Sequence, residues 1–311
     1  MHSTFLIRNG LSEFLTINST PENSLKMSLD SLSTIAKNDD GINNSSMLKN
    51  GIDLLCQNKV GIVLVMSGIN SPTEKSIDEL QNFLLDNEMF RKIDGRQVSL
   101  PLVVISPVNE VQIYEKYFSD HNYFGLDKEK VRFLEEAKLP VVSKSLDEEQ
   151  ETHKILLRSP CEIVESPVGS GGVIDLLSTK KNLGNFSKWG IEYVEVCSLS
   201  GIRSIGQIML LGLTSSRGVD LGIIYLEKSS EEEFNIILSM KYLTEQQVEK
   251  VESNESISTT SVACEHMEVV DNKWVSIHPN LPNSIHFHSS IYNRLLGACD
   301  TDRMCVLHIT D

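Results

Sequence analysis

Strand-length apolar runs alternate with amphipathic helical stretches along the middle of this chain. The run Val60 to Met66 precedes a helical pattern over 74–90, and the run LPLVVIS, which ends at Ser106, precedes an amphipathic stretch over 111–119. A β-α-β-α order is typical of a mostly parallel sheet with helices on both faces. No apolar run approaches the roughly 20 residues that a membrane-spanning helix needs. The pattern therefore predicts an α/β domain and no membrane partner.

Composition shifts divide the 311 residues into three regions. Residues 1–46 are predicted to form a flexible lead-in with a short helix, because 19–46 is rich in Ser, Asn, Asp and Lys. Residues 47–228 carry the α/β alternation. Residues 229–311 combine acidic, exposed loops, including 245–261, with the strand candidates CEHMEVV, KWVSIH, SIHFHSSIY and MCVLHIT. We expect this last region to be a β-rich extension packed on the same domain.

Charge and cysteine usage exclude several classes of partner and location. The formal net charge of −15 opposes a phosphate backbone or an anionic membrane, so nucleic acid is not an expected partner. The six cysteines show neither CxxC nor CxxH spacing, which favours reduced thiols over disulfides or a zinc site. The N-terminus lacks a basic region followed by an apolar stretch. These features predict a cytoplasmic protein, with a plastid as the alternative location.

A glycine-rich loop, PVGSGG, occupies residues 167–172. It follows an apolar run, precedes IDLLS at helical spacing, and is followed by the strand candidate IEYVEVCSL from Ile191. Strand, loop, helix and strand in this order place such a loop at the carboxyl edge of a sheet, where ligands bind. We therefore interpret Gly169, Ser170, Gly171 and Gly172 as candidate nucleotide- or sugar-binding residues. A purely structural turn is the alternative.

The run HNYFGLDKEKVRFLEEAKLPVV over 121–142 resembles a segment of eukaryotic UDP-N-acetylglucosamine pyrophosphorylases. That segment has HNFFGL, a variable stretch, a Phe and a Leu-Pro. PLVVISP, from Pro101, is similar to the family's strand ending in Met-Thr-Ser, and SPVGSGGVIDLL is similar to its APDGNGGLYSAL. GIDLLCQNKVGIVLVMSG is similar to the family's helix and first strand before its nucleotide loop, and GIEYVEVCSLSGI to a later strand. These similarities run in the same order between residues 51 and 228.

This resemblance to the UDP-sugar pyrophosphorylases implies a Rossmann-like (GT-A-like) nucleotidyltransferase domain. Such enzymes join a sugar 1-phosphate to UTP and release pyrophosphate, with Mg²⁺ as cofactor. Their chemistry needs phosphate-binding backbone donors, Lys or Arg, and a metal held by a carboxylate. The implied ligands are UTP or a UDP-sugar.

The family's first loop, GGQGTRLG, is altered in this chain. Gly68 is its surviving glycine, and Pro72 falls where the family has its Arg, which removes a charge and a backbone donor. A Lys follows this loop in the family; on a gapless count Glu79 falls at that position, and Lys75 is the nearest candidate.

Other positions that carry charge in the family are also replaced. Ser200 and Gly201 correspond to the family's metal-binding Asp and its neighbouring Asn, and Mg²⁺ prefers anionic oxygen ligands. Val168 replaces an Asp of the second loop and Ser170 its Asn. Ile224 stands at the first Lys of the following strand, whereas Lys228 matches the second.

These departures lead to three hypotheses. The first is a catalytically impaired relative, a pseudoenzyme that binds a nucleotide sugar or a protein partner and acts as a regulator. The second is an active, divergent uridylyltransferase that makes UDP-glucose or UDP-N-acetylglucosamine with relocated ligands; Asp220 and Lys228 are expected beside the site, and Lys75 and Asp175 are further candidates. The third is a fragment or mis-spliced product, because the span before Pro101 is short.

Two further features of the C-terminal region bear on binding. Asn283 corresponds to the Asn of the family's sugar-contacting Gly-Asn turn. His286 and His288 alternate along a predicted strand and so share one face, but the sequence offers no third ligand. Surface histidines are therefore favoured over a metal pair.

Overall fold

An eight-stranded sheet forms the centre of the fold, and the described residues also form four smaller sheets of two to four strands. The structure is a computed structural model that describes residues 24–28, 46–66, 77, 80–82, 84, 92–93, 96–144, 153–199, 205–226, 234–248 and 257–310. The predicted helix over 74–90 and the first loop lie largely outside these residues.

The described strands and helices follow in chain order. The strands are β1 (Leu25–Ser28), β2 (Val60–Val65), β3 (Lys92–Ile93), β4 (Arg96–Gln97), β5 (Leu102–Ser106), β6 (Val131–Glu135), β7 (Lys138–Pro140), β8 (Val142–Ser143), β9 (Leu157–Ser159), β10 (Glu162–Ile163), β11 (Glu165–Pro167), β12 (Tyr193–Ser198), β13 (Leu221–Leu226), β14 (Asn235–Ser239), β15 (Ser258–Val262), β16 (His266–Val270), β17 (Lys273–Ile277), β18 (Ser284–His288) and β19 (Met304–Thr310). The helices are α1 (Ser46–Cys56), α2 (Val108–Asp120), α3 (Gly172–Leu177), α4 (Lys180–Lys188), α5 (Ile205–Arg217), α6 (Met240–Val248) and α7 (Ile291–Ala298).

The main sheet is mostly parallel, as the sequence predicts. Its strand order is β1-β19-β13-β14-β12-β2-β5-β6, and β14 runs antiparallel to both of its neighbours while the other pairs are parallel. The carboxyl ends of β2, β5, β6, β12 and β13 therefore lie at one edge. That edge is where an α/β sheet binds its ligands.

Helices cover both faces of this sheet, because its buried strands are apolar on both sides. On one face α1, α2 and α5 bury Leu48, Tyr114 and Leu210 against even-numbered residues of β2 such as Leu64. On the other face α3, α4, α6 and α7 pack against Val63 and its neighbours. The predicted α/β layering is confirmed.

Two glycines allow α1 and α5 to cross in backbone contact. A Cβ on Gly212 would lie 1.7 Å from the Met47 carbonyl oxygen, and a Cβ on Gly51 would lie 2.1 Å from the carbonyl oxygen of Ile208. No side chain fits at either distance, so this crossing requires glycine at both positions.

The C-terminal region is β-rich, as predicted, but its strands divide between sheets. β15 and β18 form a small sheet with β8, and β16 and β17 join β9 and β10. The β16–β17 hairpin turns through Asp271 and Asn272, which both have positive φ, the conformation that two-residue hairpin turns need. In contrast, β19 enters the main sheet between β1 and β13.

Two regional predictions are corrected. Leu25–Ser28, within the predicted lead-in, forms a strand in register with Leu307–Thr310, because a distant strand supplies its hydrogen bonds. The exposed loop predicted over 245–261 is shorter at both ends, because α6 continues to Val248 and β15 begins at Ser258. No helix in the described ranges is long and apolar enough to span a membrane.

Candidate functional site

The glycine-rich loop lies at the carboxyl edge of the main sheet, beside the ends of β5 and β6. The Glu136 N–H donates to the Ser106 carbonyl at 3.0 Å, and the Val168 N–H donates to the Ala137 carbonyl at 3.0 Å. The first bond joins the residue after β6 to the last residue of β5, and the second joins the loop to the chain just after β6. The loop therefore lies where the order of strand, loop and helix predicted it.

Each glycine of the loop has a steric reason to be there. Gly169 has φ +89°, in the region that favours glycine. A Cβ on Gly171 would lie 2.3 Å from the Ser289 Oγ, and one on Gly172 would lie 2.9 Å from the Ala137 Cβ. The structural alternative for these glycines is therefore supported by contacts within the protein, whatever the loop binds.

The loop is also hydrogen-bonded to the segment between β18 and α7. The Ser289 N–H donates to the Val168 carbonyl at 2.7 Å, and the Gly171 N–H donates to the Ser289 carbonyl at 2.9 Å. The Ser170 hydroxyl accepts the N–H of Ile291, the first residue of α7, at 3.0 Å. Ser170, a predicted binding residue, thus caps a helix N-terminus from a distant part of the chain.

Two buried carboxyl groups at this edge were not predicted from the sequence. Glu110, in the first turn of α2, is 3% exposed, and Glu136, just after β6, is 9% exposed. The Tyr114 hydroxyl donates to Glu110 at 3.4 Å. The Ser106 hydroxyl is 1% exposed and has no hydrogen-bond partner in the described structure. Acidic residues directly after a buried strand, as in FLEEAKLP, are the signal that could have identified this group.

Burial raises the pKa of Glu136; the charge of Lys138 lowers it and that of Glu110 raises it, with a net upward shift. Burial and the nearby Glu110 carboxylate likewise raise the pKa of the Tyr114 hydroxyl. A buried acid with a raised pKa beside a loop at a ligand-binding edge is a functional-site candidate. This group can accept or share a proton with a hydrogen-bonding ligand.

Replacing Glu136 with Gln is expected to stabilise the fold at neutral pH by about 1 kcal/mol, since site residues are often kept at a cost in stability. The pKa of Glu136 is higher in the folded protein than in the unfolded chain. The stability that the protonated acid contributes is therefore lost as pH rises through the folded pKa. Urea unfolding of Glu136→Gln and wild type across pH 4–8 measures this difference. The exposed Glu165→Gln is the control, and equal pH profiles for wild type and Glu136→Gln would contradict the prediction.

Asp220 does not lie at this edge, so the expectation that it flanks the nucleotide loop is wrong. It precedes β13 and sits at the amino edge, opposite the loop. Its carboxylate accepts the Ser239 hydroxyl at 2.7 Å and the Arg303 Nε at 2.8 Å. Asp220 directly precedes β13, so the direction of that strand puts its carboxylate at the amino edge.

Asn283 is held within the protein. Its Oδ1 accepts the Cys264 N–H at 2.8 Å, and its Nδ2 donates to the Cys264 carbonyl at 3.1 Å. Both ends of the amide therefore support the turn before β16, and its expected sugar contact stays a prediction.

His286 and His288 share one face of β18, as predicted, with ring centroids 6.5 Å apart. His286 Nδ1 lies 3.0 Å from the Ser166 hydroxyl, and His288 Nε2 lies 2.8 Å from the Thr260 hydroxyl. Both side chains are half-buried, so they are not the surface histidines expected. Burial, followed by the neighbouring His288, lowers the pKa of His286.

Comparison with known proteins identifies the architecture. No family model matches the chain. It is 23% identical to the UDP-N-acetylglucosamine pyrophosphorylase of Saccharomyces cerevisiae over 199 aligned residues. This alignment covers 59% of this chain and 40% of the yeast protein. Its structure superposes on the Trypanosoma brucei UDP-N-acetylglucosamine pyrophosphorylase with a TM-score of 0.61, 14% identity, and coverage of 97% and 70%. A Leishmania major UDP-glucose pyrophosphorylase bound to UDP-glucose gives a TM-score of 0.55, 11% identity, and coverage of 96% and 71%.

The chain has the UDP-sugar pyrophosphorylase fold. The resemblance found in the sequence is confirmed, and the chain spans about two fifths of the length of its yeast relative.

Several predicted positions of this UDP-sugar pyrophosphorylase fold lie outside the described residues: Gly68, Pro72, Lys75, Ser200, Gly201 and Lys228. Ile224, where the family has a Lys, is 4% exposed and packs in the core under α5. In the part of the chain that the structure describes, no three His, Cys, Asp or Glu side chains are close enough to hold a metal ion.

Proposed function

We propose that this protein binds a UDP-sugar at the carboxyl edge of its sheet and acts as a catalytically impaired relative of the uridylyltransferases. The observation that carries the proposal is the glycine-rich loop beside Ser106 and Glu136, at the ligand-binding edge of a UDP-sugar pyrophosphorylase fold. The two buried carboxyl groups and the Ser106 hydroxyl at this edge suit hydrogen bonds to the hydroxyl groups of a sugar.

The altered motif positions support the impaired function. Ser200 and Val168 replace carboxylates of the family, and Pro72 replaces its loop Arg. Asp220, a candidate for a relocated ligand, is committed to Arg303 at the opposite edge. Asp175, another candidate, accepts from the buried Arg294 at 3.3 Å. Neither carboxylate supports a relocated metal site.

Cysteine chemistry supports a reducing compartment such as the cytoplasm. All six cysteines are thiols, and Cys197, Cys299 and Cys305 are buried. Burial raises the pKa of the Cys305 thiol to about 11, with Thr214 and Arg217 opposing the shift. Buried thiols of this kind are inert core residues.

A second candidate function is an active, divergent uridylyltransferase making UDP-glucose or UDP-N-acetylglucosamine, with Mg²⁺. The Glu110–Glu136 pair favours it, because these are carboxyl groups at the correct edge that the family alignment did not supply. Two carboxyl groups at this edge would supply oxygen ligands for Mg²⁺ in place of the family's Asp, where this chain has Ser200.

Binding and turnover assays separate the two functions. We expect calorimetry to detect UDP-N-acetylglucosamine or UDP-glucose binding, and we expect no turnover with UTP, either sugar 1-phosphate and Mg²⁺. Glu136→Lys should weaken binding at least about tenfold, because a long cation would fill the edge beside the loop. Glu162→Lys, with the same change of charge in an exposed β-strand, should bind like wild type.

Two outcomes oppose the proposal. Turnover that Glu136→Gln and Glu110→Gln abolish, with folding retained, would establish the active alternative. Absence of both binding and turnover would show that this edge no longer holds a sugar nucleotide and would leave a role in protein interaction.

A further inference from the structure

A groove of about 640 Å³ opens at the amino edge of the sheet, on the opposite side from the glycine-rich loop. The exposed side of α2, the turn after it and the first residues of β6 form its walls, and β6 is the last strand of the sheet. The groove is lined by Gln112, Glu115, Lys116, Ser119, Tyr123, Lys128, Val131, Arg132 and Phe133.

The groove is cationic although the chain is strongly acidic. Lys116, Lys128 and Arg132 line it against the single carboxylate of Glu115, while the chain as a whole carries −15. Within the described residues, neither Lys116 nor Lys128 forms an ion pair, although both are exposed. Three cationic side chains against one carboxylate give the groove a net positive charge, which favours a bound anion.

Arg132 is held in place before any ligand arrives. One of its terminal nitrogens donates to the Val131 carbonyl at 2.8 Å, and its guanidinium carbon lies 5.6 Å from the centre of the Trp189 ring. A guanidinium that is already ordered loses less entropy on binding, and its remaining donors match the oxygens of a phosphate.

The turn that supplies Tyr123 is strained. Asn122, Tyr123 and Phe124 have φ values of 50°, 51° and 51°, in the left-handed region that residues other than glycine rarely adopt. The His121 ring stacks on Phe124 with centroids 5.2 Å apart, and Phe118 packs edge-on against the same ring at 5.3 Å. Strain held by surrounding packing is common at binding sites. This turn is the HNYFG motif of the sequence, which lies far from the carboxyl edge.

We propose that this groove binds a small anion that carries a phosphoryl or pyrophosphoryl group. The two lysine ammonium groups, the guanidinium group of Arg132 and the hydroxyls of Ser119 and Tyr123 provide the hydrogen-bond donors that a phosphate accepts from. The volume lies within the range of small-ligand pockets. The chain's overall charge disfavours a polyanion such as nucleic acid, which would cover the acidic surface around the groove.

Titration calorimetry with inorganic pyrophosphate, in metal-free buffer at low salt, tests the proposal. Wild type should bind, and Lys116→Glu/Lys128→Glu should raise the dissociation constant at least about tenfold, because two attractions become repulsions. Lys180→Glu/Lys181→Glu, an equal charge change on the exposed start of α4, should leave the constant unchanged.

Three results would overturn the proposal: no binding to wild type, equal weakening by both lysine pairs, or no weakening by the groove pair. The last result would place the pyrophosphate at another site, including the carboxyl edge. Melting curves check that each variant folds. If the charge-reversal pair does not fold, Lys116→Gln/Lys128→Gln should still weaken binding about threefold or more, since two cations are lost. The groove does not depend on the proposed sugar-nucleotide function.

Discussion

Gly212→Ala is expected to prevent stable folding or to lower the free energy of unfolding by more than about 4 kcal/mol. The new Cβ would stand 1.7 Å from the Met47 carbonyl oxygen and 2.6 Å from its carbon. Both atoms belong to the backbone of α1, so no side-chain rotation relieves the contact. The α1–α5 crossing would have to open, and the core cluster that contains Leu48 and Leu210 would lose packing contacts.

Urea unfolding followed by circular dichroism measures this effect, with Gly184→Ala as the matched control. Gly184 lies within the exposed part of α4, and a Cβ there would meet no atom within 4 Å. The control should raise stability by up to about 1 kcal/mol, because alanine favours the helix. A Gly212→Ala protein that unfolds at the same urea concentration as wild type would show that the helices do not cross this closely.

Asp220→Asn is expected to lower the free energy of unfolding by about 2 kcal/mol at neutral pH. Asp220 is 6% exposed and lies between the Ser239 hydroxyl, Arg303 and Lys241, whose Nζ is 3.6 Å away. An amide keeps the size but removes the charge that Arg303 pairs with. Arg303 also contacts Glu245, so part of the network survives and limits the loss.

The same carboxylate predicts a pH dependence of stability. Burial would raise the pKa of Asp220, but hydrogen bonds from Ser239 and Arg303 and the charges of Arg303 and Lys241 outweigh it and lower the pKa. Its stabilisation is therefore present above the ordinary Asp value of about 4 and is lost as pH falls through the lower folded value. Wild type and Asp220→Asn should become more alike in stability below pH 4.

Urea midpoints at several pH values test this, and the exposed Asp300→Asn serves as control. A constant difference between wild type and Asp220→Asn at every pH would contradict the pKa shift. Because Asp220 lies at the edge opposite the loop, the variant should bind a UDP-sugar like wild type under conditions where it is folded. A selective loss of binding or turnover would return Asp220 to the candidate site.

The local pattern of the sequence determined the layers of this fold and the place of its loop. Apolar runs of strand length predict β2, β5, β12 and β13, since only a sheet buried on both faces accommodates them. The order of strand, loop and helix places Gly169 to Gly172 at the carboxyl edge, and the runs that resemble the UDP-sugar pyrophosphorylases identify the architecture. These conclusions follow from residues that are close to one another in the sequence.

Tertiary structure alone decided which distant residues meet. The strand Leu25–Ser28 exists because β19, more than 250 residues later, supplies its hydrogen bonds. Asp220 became a partner of Arg303 instead of a site residue, and Glu110 joined Glu136 at the ligand edge, through strand direction and helix placement. Gly212 must be glycine only because Met47 lies against it. Such pairings depend on the register of the whole sheet, so composition and spacing near any one of these residues do not reveal them.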